Sequence, residues 1–413
     1  MGRNLHAINA LRVIAEYLVV RHHVLDQRQR VGMDMFVRDL MSFFFVLSGF
    51  VMMHSHYTDD YHTLSEKLKF WVGRWKKTYP TYLLNLMFYI PLLISRASTP
   101  DYCSYTLICY FLQVFFLNSW AGCGLNILNA LSWYLGTLVW LWAIFPFLHG
   151  VLIKVFTYNA WIKMLLFNII SSGVLCFFSG YNLFTFCPLP VLRMGEFVIG
   201  CGAACVLKRQ QTAGSLTLNH WIPMLLLLLY LATVYIFLGM PHGVASICLH
   251  EEIQDIKCRL WHRSELIETS PPCLVIWDKF INKHAFIWAI LIYTVARAEV
   301  VDDNSVIMHV LLHDIFKSIG SFSLSLYLGH MSVAWTLKKI TDDVLGWADF
   351  WHDDVILLVI YFICYILHLL VARFESWFFG SDSYSKLLLL PSSDMEADQD
   401  DECEALVQTN LQN

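Results

Sequence analysis

Long apolar runs recur along the chain, separated by short polar stretches. The runs are continuous and do not alternate between apolar and polar positions, which indicates helices rather than strands. A helix crosses the hydrocarbon of a bilayer with about 20 mostly apolar residues, and only helices or closed barrels satisfy their backbone hydrogen bonds there. The pattern predicts eleven apolar windows, at 7–25, 36–54, 79–95, 104–118, 132–153, 162–180, 188–207, 221–240, 283–298, 317–337 and 354–373.

Two of these windows fit a membrane span less well than the others. Window 104–118 is short enough to be re-entrant or buried, and window 188–207 begins with two prolines and carries Arg193 and Glu196. The sequence therefore predicts an all-α fold, a polytopic transmembrane helical bundle with about ten to eleven spans.

Composition agrees with a multi-pass integral membrane protein, because 57% of the 413 residues are apolar and only 15% are charged. The net charge of −5 arises at the end of the chain, where seven acidic residues and no basic residue follow Lys386. We expect a membrane domain at 1–380 and an acidic, disordered tail at 381–413, with a solvated spacer favoured over a sorting or partner-binding segment. The expected surroundings are the lipid bilayer, and nucleic acid is not an expected partner.

The twelve cysteines are spread over apolar segments, where we expect them to act as small apolar residues, and no metal ligands are predicted. The loop after Gly239 holds Cys248, Cys258 and Cys273 among histidines, so a zinc site or a disulfide there is a weaker alternative.

The densest basic cluster indicates the orientation of the chain. It is predicted to lie in a short loop, which should be cytosolic and would make the N-terminus cytosolic as well. Arg28 and Arg30 in the preceding loop argue mildly against this orientation. The members of the cluster are Lys67, Lys69, Arg74, Lys76 and Lys77.

Charged residues interrupt the first apolar window. A charge at mid-bilayer costs about 2.5 to 3.5 kcal/mol on insertion scales, so Arg12 and Glu16 need compensation. One reading is that they pair, since residues i and i+4 are neighbours on a helix. The other is a polar cavity with His23 at its far end, because eleven residues are close to three turns and place Arg12 and His23 on one face, about 16 Å apart. His22 points about 100° away from His23.

These residues also carry a family resemblance. The stretch "INALRVIAEYLVVRHH" followed by "FFFVLSGFVM" resembles the start of the acyltransferase-3 family of integral membrane acyltransferases, whose hallmark is an arginine, ten residues and a histidine. Arg12 and His23 fit that spacing. The resemblance covers about 1–380, because five further segments follow in the family's order: "RWKKTYPTYLL", "LSWYLGTLVWLWAIFPFL", "PVLRMGEFVIGCGAA", "SLSLYLGHMSV" and "RFESWFFG".

The chain departs from the family pattern at two places. Lys77 stands where the second arginine of the "RWKKTYPTYLL" segment is usual. The family's pair of glutamates after its "LWSLS" segment falls on Leu138 and Val139 here. A polar contact made by that pair is therefore absent or supplied elsewhere, which bears on the substrate more than on the fold.

The resemblance implies transfer of an acyl group, often acetyl, from cytosolic acyl-CoA to a hydroxyl of a sugar, a lipid or another small acceptor. Such a reaction needs a base for the hydroxyl, donors for the developing oxyanion and a cationic site for the CoA phosphates. We assign His23 as general base, because imidazole accepts a proton at neutral pH. Arg12 does not deprotonate and is given an electrostatic role, which Glu16 tunes or neutralises. His330, within "YLGHMSV", is either a lining group of the site or a core residue.

Arg74, Lys77 and Arg193 are the residues expected to hold acyl-CoA. Membrane orientation and attraction to anionic lipid are an alternative reading of the basic cluster, and Arg193 is equally placed for a structural ion pair with Glu196. Ser48 and Gly49 are expected to allow close helix packing. Direct transfer is favoured over an acyl-histidine relay.

Two other functions fit parts of the sequence. A polytopic transporter would use Arg12, Glu16, His23 and His330 as an intramembrane pathway. A family member without catalysis would agree with the loss of the glutamate pair.

Overall fold

The structure is a computed structural model, and it describes residues 5–24, 33–90, 104–121, 129, 131–179, 189–214, 284–301, 305–340 and 353–379. The predicted window at 221–240, the three cysteines of the loop after Gly239, the arginines at 28 and 30, and the acidic tail lie outside these residues.

Every regular element within the described residues is a helix. The all-α prediction is confirmed for this part of the chain. The helices are α1 His6–Val24, α2 Met33–Ser55, α3 Leu64–Met87, α4 Ser104–Val114, α5 Ser132–Val155, α6 Ala160–Ser179, α7 Pro190–Thr212, α8 Ala285–Val300, α9 Val306–Leu311, α10 Asp314–Ser321, α11 Ser323–Lys339 and α12 Asp353–Phe379.

Ten of the eleven predicted windows coincide with described helices. By length and apolar composition, three stretches of the described chain are suited to cross a membrane: Ser132–Val155, Pro190–Thr212 and Val355–Phe374. The structure therefore supports membrane helices, and the count of ten to eleven spans stays a prediction.

The start of α3 differs from the prediction. The basic cluster was expected in a loop before a span at 79–95, but α3 begins at Leu64 and carries the cluster on its first turns. Thr63 caps this helix in a capping box, because its side chain accepts from the Glu66 N–H and the Glu66 carboxylate accepts from the Thr63 N–H at 2.7 Å. This reciprocal cap explains why a charged segment is helical.

Helix α7 is the central helix of the described bundle, with 83% of its apolar window buried. It meets α2 at two glycines: a Cβ added to Gly200 would lie 1.9 Å from the Val46 carbonyl oxygen, and one added to Gly49 would lie 2.0 Å from that of Phe197. The expectation that Gly49 serves close helix packing is confirmed.

Three of the cysteines occupy the role expected of them. Cys201, Cys205 and Cys364 are buried free thiols among apolar neighbours. Cys109 differs, because it is disulfide-bonded.

Candidate active site

A line of four side-chain contacts joins α1 to the segment formed by α10 and α11. Asn9 Nδ2 donates to the Phe316 carbonyl at 3.1 Å, and Arg12 Nη2 donates to the Gly320 carbonyl at 2.9 Å. Ser323 Oγ donates to Glu16 Oε2 at 2.6 Å. His23 Nδ1 lies 3.1 Å from His330 Nε2. Partners are separated by 307 or 308 positions along the whole line, so the two segments run parallel and in register.

The two histidines at the end of this line fix each other's tautomer. His330 is fully buried, and its Nδ1 lies 3.0 Å from the Leu326 carbonyl oxygen. A carbonyl only accepts, so the proton of a neutral His330 is on Nδ1 and its lone pair is on Nε2. His23 then donates to that lone pair through Nδ1–H, and the lone pair of a neutral His23 is on Nε2. The contacts thus prepare His23 to accept a proton at Nε2.

His22 occupies a different environment from His23. It is buried, and its ring meets the His23 ring edge to face with 5.4 Å between centroids. The contact with His330 is made by His23, the histidine that shares a helical face with Arg12.

Arg12 and Glu16 do not form the ion pair that their spacing suggested. Neither the ion pairs nor the hydrogen bonds of the described residues join them within 4.0 Å. Arg12 instead donates to Asn9 Oδ1, one turn toward the N-terminus, as well as to Gly320. Gly320 permits this approach, since a Cβ there would lie 2.0 Å from Asn9 Nδ2.

Glu16 is a buried carboxylate, with 2% of its surface exposed. Its Oε2 accepts from Ser323, while no described side chain or backbone group bonds its Oε1. A buried carboxylate oxygen without a partner is costly in a protein interior, so Glu16 is a candidate for contact with a substrate.

Sequence reasoning missed three polar residues of this region. Asn9 was detectable, because it lies three positions before Arg12 on the same helical face. Ser323 gave no local signal, since its partner Glu16 is 307 positions away. Tyr134 is half-buried and meets the Tyr327 ring edge to face with 5.5 Å between centroids, and it interacts electrostatically with Arg12 and Glu196.

The residues expected to hold acyl-CoA have well-defined surroundings. Arg193 is 2% exposed, and its Nη1 donates to Glu196 Oε1 at 2.9 Å, so the structural ion pair is formed. Ser42 Oγ donates to the same oxygen at 2.6 Å. Arg74 Nη2 lies 2.7 Å from His56 Nε2, and Lys77 is half-buried on the same helix. Their binding of acyl-CoA stays a prediction.

The two positions of the family's glutamate pair lie in different places. Leu138 is buried in the main apolar core. Val139 lines a cavity beside Arg74 and Trp142. The substitution therefore makes one wall of that cavity apolar.

Comparison of the sequence with profiles of protein families tests the family resemblance that the motifs suggested. The sequence matches the profile of Acyl_transf_3, described as an acyltransferase domain, over residues 5–377. The chain belongs to this family. The match spans nearly the whole chain and contains all but the last two residues of the described helices, so this acyltransferase domain includes the entire line from Asn9 to His330. Comparisons with curated proteins and with solved structures find no match.

Proposed function

We propose that the protein is a multi-pass membrane O-acyltransferase that moves an acyl group, acetyl in the reading the family suggests, from acyl-CoA to a hydroxyl of a sugar, lipid or small acceptor. The observation that carries the proposal is the bond between His23 Nδ1 and His330 Nε2, which leaves the basic lone pair of His23 on Nε2. The family membership supports the acyl transfer itself.

The proposed step is a direct transfer. The acceptor hydroxyl oxygen attacks the thioester carbonyl carbon while His23 Nε2 takes the hydroxyl proton. The tetrahedral intermediate then collapses, the C–S bond breaks, and His23 returns the proton to the leaving CoA sulfur. The products are the acylated acceptor and CoA, and the histidine ends neutral. Positioned proton transfer of this kind contributes about 10² to 10⁴ in rate.

Arg12 acts at the other end of α1 in this proposal. Its Cα lies about 16 Å from that of His23 along the axis, and its contact with Asn9 turns the guanidinium further away. We therefore assign Arg12 to the anionic part of acyl-CoA rather than to the oxyanion at His23. Lys77, with the other lysines of α3, would attract the same phosphates at the cytosolic face.

Glu16 lies between these two ends, where its Oε1 is available to a polar group of the donor. In this proposal it positions the substrate and takes no proton in the transfer.

The first test replaces one histidine at a time with a ring of similar shape. We expect His23→Phe to lower the rate of CoA release from acetyl-CoA by at least about 10²-fold, because the base is lost. His22→Phe should stay within about threefold of wild type, since it keeps the edge-to-face packing. The measurement is thiol release in purified membranes, with acylated products identified by mass spectrometry of lipids, sugars and small metabolites.

Other results would contradict the proposal in distinct ways. Full activity of His23→Phe would remove His23 from the role of base. Binding of acyl-CoA without turnover in the wild-type protein would favour the non-catalytic family member. Proton or solute flux that depends on His23, without acyl transfer, would favour the transporter.

A further inference from the structure

A cavity of about 180 Å³ lies between α3 and α5, apart from the line of contacts on α1. Its walls are the aromatic side chains of Trp71, Trp75, Tyr79, Phe116 and Trp142, together with Val139. At about 30 Å³ for a group the size of a water molecule, it has room for roughly six such groups. The volume suits a segment of hydrocarbon chain.

The walls offer little to a polar ligand. The indole N–H of Trp71 donates to the Ala143 carbonyl at 3.2 Å, and that of Trp142 donates to Ser48 Oγ at 3.2 Å. Both N–H groups are thus used within the protein. The remaining wall is mainly ring faces and C–H groups, and the other side chains with polar atoms are those of Arg74, Trp75, Thr78 and Tyr79. Pantetheine amides or a nucleobase would lose hydrogen bonds in such a site.

The cavity lies at the apolar outer surface of the described bundle. Trp75, which forms part of its wall, is 46% exposed, and Leu68 and Val72 on the same helix are 48% and 49% exposed. In a membrane protein such a stripe faces lipid. Tryptophan together with basic residues is typical of the level where acyl chains meet headgroups.

Arg74 is held in place at the cavity by two further side chains. An arginine only donates, so His56 Nε2 accepts from Arg74 and the His56 proton is on Nδ1. That proton is donated to Asp59 Oδ2 at 2.6 Å. Burial raises the pKa of Asp59, but the hydrogen bonds from His56 and Tyr61 lower it, and this pKa lies below its ordinary value. Asp59 is therefore ionised at neutral pH. It holds the His56 ring by a hydrogen bond, and the ring in turn orients Arg74.

We propose that this cavity binds one acyl chain of a membrane lipid whose anionic phosphate headgroup contacts Arg74. Charge complementarity selects the headgroup, and the apolar walls select the chain. Val139 completes the apolar wall. The site goes beyond the acyl-transfer proposal and does not depend on it.

The test uses the full chain in nanodiscs of phosphatidylcholine with increasing amounts of phosphatidylglycerol brominated on its acyl chains. Bromine quenches the three tryptophans of the cavity, so we expect a saturable component that brominated phosphatidylcholine does not produce. Charge-assisted hydrogen bonds contribute about 1.5–3 kcal/mol, so Arg74→Ala should raise the half-saturating lipid fraction about tenfold or more. Lys154→Ala removes an exposed positive charge at the end of α5 and should leave it within twofold.

A second pair of variants tests the apolar wall. Val139→Glu should abolish the saturable quenching, whereas Val139→Ile should retain it. Equal quenching by both brominated lipids, or equal behaviour of Arg74→Ala and Lys154→Ala, would overturn the site. Loss of the quenching on adding CoA would also overturn it, because the phosphate at Arg74 would then belong to the nucleotide. Acyl transfer is measured separately, so its absence would not affect these readings.

Discussion

His330 acts through His23, and its contribution differs from that of a residue that only fills space. Its Nε2 accepts the His23 Nδ1 proton, while its own Nδ1 is tied to the Leu326 carbonyl. The contacts therefore hold both neutral rings in single tautomers, and in the proposed mechanism they orient the base at Nε2 of His23 before a substrate arrives. On this reading His330 is a positioning residue.

The contact predicts different effects for two substitutions at His330. His330→Leu fills similar volume but has no acceptor, so we expect kcat/KM for acyl transfer to fall about tenfold, matching the loss of roughly 1.4 kcal/mol from one hydrogen bond. His330→Gln can offer its amide oxygen to His23 Nδ1–H and should recover most of that loss. Initial rates with acetyl-CoA measure both, with thermal unfolding as the control for folding. A glutamine variant as slow as the leucine variant would show that His330 acts only by packing.

At the level of single residues, the sequence predicts which side chains of α1 share a face, but it does not predict their contacts with distant residues. The shared face of Arg12 and His23 follows from helical periodicity alone. The pairing of Arg12 with Glu16 does not follow, because Asn9, Gly320 and Ser323 offer better-placed partners. Gly320 and Ser323 are more than 300 positions away from their partners, and no local sequence pattern predicts such a contact.

Among the helices, the crossing of α2 and α7 is the tightest described contact between two backbones. Gly200 faces the Val46 carbonyl, and Cys201 Sγ donates to the Gly49 carbonyl at 3.2 Å. Backbone atoms, unlike the ends of flexible side chains, have little room to move aside. Any side chain at these glycines therefore separates the helices.

The crossing predicts opposite outcomes for two glycine-to-alanine changes. Gly200→Ala should lower the free energy of unfolding by about 1–3 kcal/mol, as overpacking of a core does. Gly150→Ala on α5 is the matched control, because nothing lies within 4 Å of its added Cβ, and alanine favours the helix. Thermal unfolding in one detergent compares them. If Gly200→Ala were as stable as Gly150→Ala, the close approach would not exist.

Helix positions were largely predictable, and helix beginnings were less so. Apolar length located α5, α7 and α12 because each of these helices contains a long stretch that is apolar on average. It missed the first half of α3, where lysines alternate with exposed apolar side chains and the helix depends on its capping box. A capping box of Thr63 and Glu66 is a signal in the sequence, but hydropathy does not detect it.

Over the whole molecule, the start of α1 lies beside the end of α8 and the start of α10. The Glu299 carboxylate accepts from the His6 and Ala7 N–H groups at 2.5 and 2.9 Å, and Asn9 contacts Phe316. A carboxylate at a helix N-terminus is electrostatically favourable, so this contact stabilises the junction. The two regions are expected on one side of the membrane.

Epitope tags test that arrangement. A tag placed before residue 1 and a tag inserted at 302–304 should both react with antibody only after the same membrane is permeabilised, and that side should be the cytosol. Reactivity of the two tags from opposite sides would contradict the packing of α1 against α8 and α10. A tag on a known cytosolic protein in the same cells serves as the control.

The constant offset of 307 or 308 between α1 and α11 also restricts the topology. When two helices cross a bilayer in the same direction, an even number of crossings precedes the second helix, counted from the first helix onward. The sequence predicts nine apolar windows from α1 to the residues before α11, an odd number, so we expect one of them not to cross. Helix α4 has 11 residues and a length of about 16 Å, half of a hydrocarbon core about 30 Å thick. We therefore predict eight crossings before α11 and ten in total, with α12 returning the chain to the face from which α1 departs.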